Sequence, residues 1–224
     1  MTQPVLEARS LVKSFGGIRA TDNLSLTVLP GELHAVIGPN GAGKTTLITQ
    51  LCGSLLPDAG EVLFKGVDIT QRPAYERAQM GIARSFHITS LIMDMTVLEN
   101  VALAAQAHMG SSFRFFRSVR HDEPVLSHAR ACLARVGLAA EADRVTRTLP
   151  HGGHRRMEIA IALAAKSELM LLDEPMAGLG TDESQDIIAL LRALKGEQTI
   201  VLIEHDMDAV FALADRISVL VYGH

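Results

Sequence analysis

The chain has 224 residues, of which 48% are hydrophobic, 21% charged and 4% aromatic, a balance that excludes a disordered protein and is typical of one compact α/β domain. Its 21 Lys and Arg against 25 Asp and Glu give a formal charge of -4, too little basic excess for a duplex-binding surface, so no nucleic-acid partner is expected. Every apolar run is shorter than the ~20 residues of a membrane-spanning helix, and the start lacks the pattern of a secretion signal, which predicts a cytosolic protein. The two cysteines, Cys52 and Cys132, lack metal-ligand spacing and are expected to be buried and reduced.

The first third of the chain is typical of strands joined by tight turns. Short apolar runs (VLEARSLV, LSLTV and ELHAVI) are separated by Gly16-Gly17 and Pro30-Gly31. A helical stretch then runs to Cys52, and DAGEVLFKGVDIT predicts a hairpin around Lys65-Gly66.

The middle third has helical periodicity from Thr96 to Lys166. Thr96 and Glu99 have the spacing of a capping box, and Pro124 is placed to open another helix. Beyond this helical insert, LMLLDEP predicts a buried parallel strand, followed by a helix over about 182–194 and the strands TIVLI and ISVLV.

The most specific motif is a loop with the spacing of a phosphate-binding P-loop, formed by Gly38, Pro39, Asn40, Gly41, Ala42, Gly43, Lys44 and Thr45. It follows the apolar run LHAVI and opens a helix, the context that this motif requires. Its backbone amides and the helix N-terminus suit phosphate oxygens, and Lys44 can reach the outer phosphates. Thr45 offers a hydroxyl to Mg²⁺. The alternative is a glycine-rich turn before an ordinary helix.

An adjacent carboxylate pair supplies the second half of this site. Asp173 ends the buried run LMLL, at the sheet edge where the P-loop is expected, and can hold the hydration shell of Mg²⁺. Glu174 is then free to act as the general base on a water that attacks the terminal phosphate. Two solvated acids before Pro175 are the alternative.

The base of the nucleotide is predicted to be adenine by default, because the chain contains no NKxD-type motif for guanine. Phe15, in KSFGG, lies where an aromatic ring can stack on a base, although a Phe beside glycines is more often a packing residue.

Several further segments resemble, in order and spacing, the ATP-binding-cassette (ABC) ATPases and specifically their branched-chain amino-acid importer subfamily. The resemblance covers essentially the whole chain and is carried by KSFGGIRATDNLSLTVLPGEL, GPNGAGKTTL, GIARSFH, MTVLENV, RRMEIAIAL, LLDEPMAGL and LIEHDM. It implies an α/β fold of the P-loop NTPase type, with a parallel core sheet, an antiparallel β subdomain and a helical subdomain. The nucleotide-binding core and β subdomain are expected over residues 1–83 and 167–224, and the Q-loop with the helical subdomain over 84–166, in one ABC ATPase domain. Members of the family usually continue with another hairpin, so a truncated or unusually short protein is expected from the end at His224.

The resemblance also assigns roles to individual residues. It places Phe15 at the adenine-stacking position, adds Thr46 to the ATP-binding P-loop, and makes His205 the switch histidine that contacts the γ-phosphate. Members of the family work as head-to-tail dimers, in which each ATP lies between one P-loop and the signature segment of the partner subunit. In this chain that segment is Leu149, Pro150, His151, Gly152, Gly153 and His154.

Three positions depart from the family pattern. Pro150 stands where the LSGGQ signature usually has serine, and the loss of one hydroxyl bond to a charged phosphate is expected to cost roughly 1.5–3 kcal/mol. His87 stands at the Q-loop glutamine, where an imidazole is expected to act through water or loop conformation, since Mg²⁺ prefers oxygen ligands. Gly180 lacks the usual D-loop side chain. His151 and His154 flank the signature glycines, and a pH effect on ATP binding there is a hypothesis.

The helical insert is where this family docks onto membrane permease subunits, which predicts a coupling surface near His87. Leu91, Ile92, Met93 and Met95 offer an apolar patch for a partner helix, with burial inside the subdomain as an equal alternative. The segment SSFRFFRSVRH (residues 111–121) has a composition that suits lipid headgroups or a partner, with an ordinary amphipathic surface as the simpler explanation.

These observations favour the Mg²⁺-dependent ATPase subunit of an importer for branched-chain or related amino acids. It is expected to lie at the cytoplasmic face of the membrane, with a second ABC ATPase subunit, permease subunits and, indirectly, a solute-binding protein as partners. Urea, amides and aromatic compounds remain possible cargo. A weakly hydrolysing, nucleotide-responsive binding module is the second hypothesis, because of Pro150 and His87. A soluble cassette ATPase that acts on nucleic acid or ribosomes is the third, but the chain has neither tandem cassettes nor a long coiled-coil insert.

Overall fold

The computed structural model describes residues 3–84, 91–108 and 122–224 and divides into two compact units. The strands are β1 (Leu6–Phe15), β2 (Ile18–Val28), β3 (Leu33–Ile37), β4 (Ala59–Phe64), β5 (Val67–Asp68), β6 (Ile82–Arg84), β7 (Leu169–Asp173), β8 (Thr199–Ile203) and β9 (Arg216–Val219). The α-helices are α1 (Lys44–Leu51), α2 (Ala74–Gln79), α3 (Val97–His108), α4 (Glu123–Arg135), α5 (His151–Ala164), α6 (Thr181–Leu194) and α7 (Met207–Leu213). His87 and residues 111–121 lie outside the described residues.

The first unit, Met1–Arg84 with Glu168–Glu174 and Leu191–His224, contains both sheets. A five-stranded parallel sheet has the order β6-β7-β8-β3-β9. Strands β7 and β8 are buried at every position, as expected for parallel strands covered on both faces. The predicted parallel core strands are therefore confirmed.

An antiparallel sheet of four strands, in the order β2-β1-β4-β5, accompanies the parallel sheet in this unit. Gly16-Gly17 joins β1 to β2, and Lys65-Gly66 joins β4 to β5, where both turn residues have positive φ angles of 51° and 78°. These angles suit the two-residue turns of β-hairpins, so the predicted hairpin is confirmed.

Apolar side chains from both sheets and from α1 form one buried cluster in the first unit. Leu47, Ile48 and Leu51 contribute the apolar face of α1, and Cys52 at its C-cap is buried with a free thiol, as is Cys132 in α4. The prediction of two buried, reduced cysteines is thus confirmed. The helix that begins at the P-loop is anchored along its length by this core.

The C-terminal end of α1 is also held by a buried cation. Arg77 on α2 is completely buried, and its guanidinium donates to the carbonyl oxygens of Gln50 and Leu51 at 2.8 Å, Thr70 at 2.9 Å and Arg72 at 2.9 Å. Burial lowers the pKa of the Arg77 guanidinium below its ordinary value. Carbonyl oxygens at the end of a helix carry partial negative charge, so they compensate the buried charge.

The second unit comprises the described residues within Ser85–Ser167 and Pro175–Leu190. Helices α3, α4 and α5 pack against one another there. Thr96 and Glu99 form the predicted capping box before α3, with the Thr96 N–H donating to Glu99 Oε2 at 2.9 Å and the Glu99 N–H donating to Thr96 Oγ1 at 3.2 Å. Pro124 lies in the first turn of α4, as predicted. In the described ranges, no helix combines the length and hydrophobicity that crossing a bilayer demands.

Candidate active site

The P-loop connects β3 to α1 in a conformation that depends on glycine. Gly38 has φ 154° and Gly43 has φ 103°, and a Cβ atom at either position would lie 2.1 Å from a backbone oxygen, that of Leu220 or Ala20 respectively. Such a distance is far below van der Waals contact. Close approach of the backbone therefore requires glycine at both ends of the loop.

Lys44 is folded back onto this loop. Its side chain is buried, and Nζ donates to the carbonyl oxygen of Gly38 at 2.6 Å and to that of Pro39 at 3.1 Å. A phosphate group that enters the loop would offer this ammonium group charged acceptors in place of neutral carbonyls.

The N-terminus of α1 is open to an anion. Gly43 is the N-cap residue and provides no side-chain cap, and the first turn, with Thr45 and Thr46, contains no acidic residue. The first amides of a helix require acceptors and lie at the positive end of the helix dipole. This end of α1 therefore has the properties of a phosphate site.

The predicted acids and the histidine lie at the ends of two neighbouring strands. Asp173 is the last residue of β7 and is 5% exposed, and Glu174 follows it with a side chain that is 33% exposed. His205 follows β8, and its Nδ1 lies 3.8 Å from Glu174 Oε1. Because β7, β8 and β3 are consecutive in a parallel sheet, these residues and the P-loop all follow carboxyl ends of strands at the same sheet edge.

Glu174 is held in an unusual backbone conformation. Its φ angle of 48° lies in the left-handed region, which is uncommon for residues other than glycine and costs roughly 1–3 kcal/mol. The Glu174 N–H donates to the carbonyl oxygen of Ile203 at 2.9 Å, which ties this conformation to β8. Backbone strain of this kind is concentrated at functional sites.

Arg84 lies in the segment GIARSFH, where the sequence pattern alone gives it no role. It ends β6, and its guanidinium lies 3.5 Å from Asp173 Oδ2 and 3.6 Å from Cys52 Sγ. The pair places a cation beside the buried Asp173 carboxyl group. The interaction joins residues 89 positions apart, so no local pattern predicts it.

The donors at this sheet edge suit Mg²⁺. Asp173 offers a buried carboxylate and Thr45 an exposed hydroxyl. Protein sites for nucleotide-bound Mg²⁺ contribute one or two oxygens, with phosphates and water completing the shell. Within residues 3–84, 91–108 and 122–224, no group of three His, Cys, Asp or Glu side chains that could hold a metal occurs.

Phe15 is the predicted adenine-stacking residue. It ends β1 and is 52% exposed, and the ammonium group of Lys13 lies 5.9 Å from the ring centroid. The ring is therefore accessible to a base, and its role in stacking stays a prediction.

The signature segment lies in the second unit, where it forms the first turn of α5. Pro150 is the N-cap residue and gives no side-chain cap, while Gly152 and Gly153 are buried in the first turn. His151 is exposed, and the buried His154 donates from Nε2 to the carbonyl oxygen of Thr146 at 2.8 Å. The two histidine rings lie 6.2 Å apart in an edge-to-face arrangement.

An acid from α6 supplies the missing cap. Glu183 Oε1 accepts the Gly152 N–H at 3.2 Å, and its Oε2 lies 3.4 Å from the N–H of Gly180, which directly precedes α6. Glu183 thus caps the N-terminus of its own helix, α6, and also accepts an N–H from the first turn of α5. From the sequence, only the contact between Glu183 and the nearby Gly180 can be predicted, whereas the contact with Gly152 joins distant parts of the chain.

The predicted coupling residues are only partly described. His87 lies outside the described residues. Of the apolar patch, Leu91 is buried, Ile92 is 44% exposed, and Met93 and Met95 are half-buried. Leu91 is therefore a core residue, and Ile92 is the member of the patch that is most accessible to a partner.

Comparisons with known proteins agree with this geometry. A family model described as ABC transporter matches residues 21–177. The chain is 36% identical to the high-affinity branched-chain amino acid transport ATP-binding protein LivG of Escherichia coli K12, over 100% of this chain and 90% of that protein. It is similar to the ADP conformation of MJ1267, an ATP-binding cassette of an ABC transporter, with a TM-score of 0.87 and 31% identity, over 99% of this chain and 89% of that chain.

A dimeric structure of a post-hydrolysis state of the ATP-binding cassette MJ0796, bound to ADP and Pi, is also similar, with a TM-score of 0.80 and 28% identity over 97% of this chain and 95% of that chain. The predicted fold class and the predicted resemblance to branched-chain amino-acid importer ATPases are confirmed by these matches. The chain belongs to the ABC transporter family, as one of its ATP-binding cassettes.

Proposed function

We propose that the chain hydrolyses ATP to drive the import of branched-chain or related amino acids. The observation that carries the ATPase assignment is the shared sheet edge, where the P-loop, Asp173, Glu174 and His205 follow three consecutive parallel strands. In the proposed assignment, the phosphate-binding loop, the metal-binding carboxylate and the general base therefore share one edge. The similarity to LivG supports the class of solute.

In the proposed reaction a water oxygen attacks the terminal phosphorus of ATP, the bond to the ADP oxygen breaks, and the water proton passes to Glu174. Lys44 and the amides of the P-loop stabilise charge on the phosphate oxygens, and His205 contacts the terminal phosphate. Mg²⁺, held by Thr45 and Asp173 when it is bound, supplies additional neutralisation of phosphate charge. Phe15 stacks on adenine, and Pro39, Asn40, Gly41, Ala42 and Thr46 complete the ATP contacts of the loop.

The second half of each site comes from a second ABC ATPase subunit, either a copy of this chain or a paralogue. The signature segment from Pro150 to His154 faces the nucleotide bound to that subunit, and the positive end of α5 is directed at its phosphates. The dimeric structure of MJ0796 with ADP and Pi supports this arrangement.

ATP-driven closure of the two ATPase subunits is transmitted to permease subunits at the cytoplasmic face of the membrane, near His87 and Ile92. A solute-binding protein delivers the cargo to the permease subunits. Amides, urea and aromatic compounds are alternative cargo, since the permease and the binding protein select the solute. Co-purification of the chain with membrane subunits tests this assembly.

The test of the ATPase assignment is phosphate release from ATP by the purified chain and by Glu174→Gln. Loss of the base is expected to lower turnover by about 10²–10⁴-fold. The same variant should form an ATP-dependent dimer by light scattering, because it binds ATP without consuming it. Undiminished turnover in Glu174→Gln, or no increase in mass with ATP, would contradict the assignment.

The alternative is a nucleotide-responsive module that binds ATP and barely hydrolyses it. Pro150, which offers no hydroxyl and no N–H at the N-cap of α5, favours this alternative, as does His87 at the Q-loop position. Weak turnover in the parent that rises in Pro150→Ser or His87→Gln would support it, whereas rapid turnover in the parent would exclude it.

A further inference from the structure

Glu204 is a carboxylic acid that the chain buries directly beside His205. It follows the wholly buried strand β8, and only 1% of its side chain is exposed. Removing a carboxylate from water is costly unless hydrogen bonds or charges compensate. The strand β8 is therefore followed by an acid whose burial requires compensating contacts, at the same sheet edge as the candidate active site.

The carboxylate of Glu204 contacts His205 at two places. Oε2 accepts the backbone N–H of His205 at 3.1 Å, which fixes the chain at the point where the imidazole branches off. The same oxygen lies 3.8 Å from His205 Nδ1, within the range of an ion pair and longer than a hydrogen bond. One buried oxygen thus accepts a hydrogen bond from the backbone of His205 and lies within ion-pair range of its ring.

Glu174 approaches the same ring nitrogen. Its Oε1 is also 3.8 Å from His205 Nδ1, so the Nδ1 edge of the imidazole faces one carboxylate from β7 and one from β8. Carboxylates within ion-pair range of one edge of an imidazole attract that edge electrostatically, which orients the ring and turns the other nitrogen away from them. The side chain of His205 is 64% exposed, so the ring is accessible to a nucleotide.

We propose that Glu204 is a positioning residue for His205, which holds the Nδ1 edge of the imidazole so that Nε2 is presented to the terminal phosphate of ATP. This inference rests on the proposed function, in which His205 contacts that phosphate. Glu204 is 1% exposed, so its proposed effect on the bound nucleotide is exerted through His205. The charge of Glu204 and the proximity of its oxygen to the His205 N–H are separate requirements, which can be removed one at a time.

The first test uses the nucleotide-free protein and does not depend on hydrolysis. NMR of ring-¹⁵N-labelled histidine reports the tautomer of each imidazole, and His205→Gln identifies the His205 signals. Glu204→Gln retains an oxygen for the backbone N–H and removes the charge, whereas Glu61→Gln is a matched control at an exposed acid of β4. We expect the His205 ring signals to shift in Glu204→Gln and to stay in place in Glu61→Gln. Unshifted His205 signals in Glu204→Gln would overturn the proposal.

The second test separates positioning from a merely structural role. Glu204→Gln is expected to lower kcat by roughly 10–100-fold, as loss of a residue that orients an active-site histidine does, with little change in the KM for ATP. In a His205→Ala background the same substitution should add little further loss, because Glu204 acts through His205. Equal losses in both backgrounds would overturn the proposal.

Folding is checked by thermal unfolding of each variant. If Glu204→Gln does not fold, Glu204→Asp retains the charge but withdraws it by one methylene, and it should shift the same His205 ring signals. Unshifted signals in that variant would overturn the proposal as well. A parent protein that hydrolyses no ATP would contradict the proposed function, while the NMR comparison would still decide the contact between Glu204 and His205.

Discussion

Replacement of Arg77 by methionine is expected to destabilise the fold strongly, although Arg77 touches none of the predicted site residues. Its guanidinium is completely buried and donates four hydrogen bonds to backbone carbonyls, two of them at the C-terminal end of α1. At about 1.5 kcal/mol for each bond from a charged donor, the loss is roughly 6 kcal/mol. Removal of a buried cation offsets part of it, which leaves a net cost of about 3–5 kcal/mol.

That cost is a large part of the total stability, since the free energy of unfolding of a protein domain is roughly 5–15 kcal/mol. Arg77→Lys should fall between the parent and Arg77→Met, because one ammonium group cannot reach four carbonyls that a planar guanidinium spans. The assay is urea unfolding followed by circular dichroism, with Arg72→Met as the control. The Arg72 side chain pairs with Glu76 at the surface and should contribute only about 0.5 kcal/mol. The error of such comparisons is about 1 kcal/mol. A free energy of unfolding for Arg77→Met that lies within about 1 kcal/mol of the parent value would refute the reasoning.

Three further outcomes are expected. Gly43→Ala should abolish binding of a fluorescent ATP analogue, because its Cβ would meet the Ala20 oxygen at 2.1 Å; binding at parental affinity would contradict the loop geometry. His34 lies on β3 and is 2% exposed, and burial lowers its pKa below the ordinary value. Folding therefore favours the neutral form, so the contribution of His34 to stability is complete above about pH 6.5 and declines as the pH falls. Urea midpoints measured from about pH 8 to about pH 5, on either side of the ordinary histidine pKa, should fall less in His34→Gln than in the parent, and parallel curves would contradict this. Glu183→Ala removes the acceptor of the Gly152 N–H and should weaken ATP-dependent dimerisation measured by light scattering, whereas Glu183→Gln should retain most of it; equal dimerisation in all three proteins would show that the cap is dispensable.

The features that could be predicted from the sequence are those that depend on neighbouring residues. The capping box of Thr96 and Glu99 and the hairpin turn at Lys65-Gly66 involve groups at most three positions apart, and both are confirmed. The P-loop conformation was likewise predicted, since its glycines and its strand–loop–helix context are contiguous.

The features that could not be predicted depend on contacts between distant parts of the chain. The Arg77 guanidinium binds carbonyls 26 and 27 positions away, and an arginine on a short polar helix gives no sign that it is buried. The acidic residue before His205 has no visible role in the sequence, since the burial of Glu204 follows from packing around β8. The roles of the site residues and the division of the chain into core and helical subdomain stay predictions.

The central claim is that each reaction centre combines the base of one chain with the signature segment of another, and mixing two inactive variants tests it directly. Glu174→Gln has an intact signature and no base, and Gly153→Val has an intact base and a blocked signature. Each alone should release little phosphate, while an equal mixture should recover up to about a quarter of parental turnover, because random pairing makes half of the dimers mixed and each mixed dimer has one complete site. No recovery between folded variants that still dimerise, or full turnover by Gly153→Val alone, would contradict a shared site.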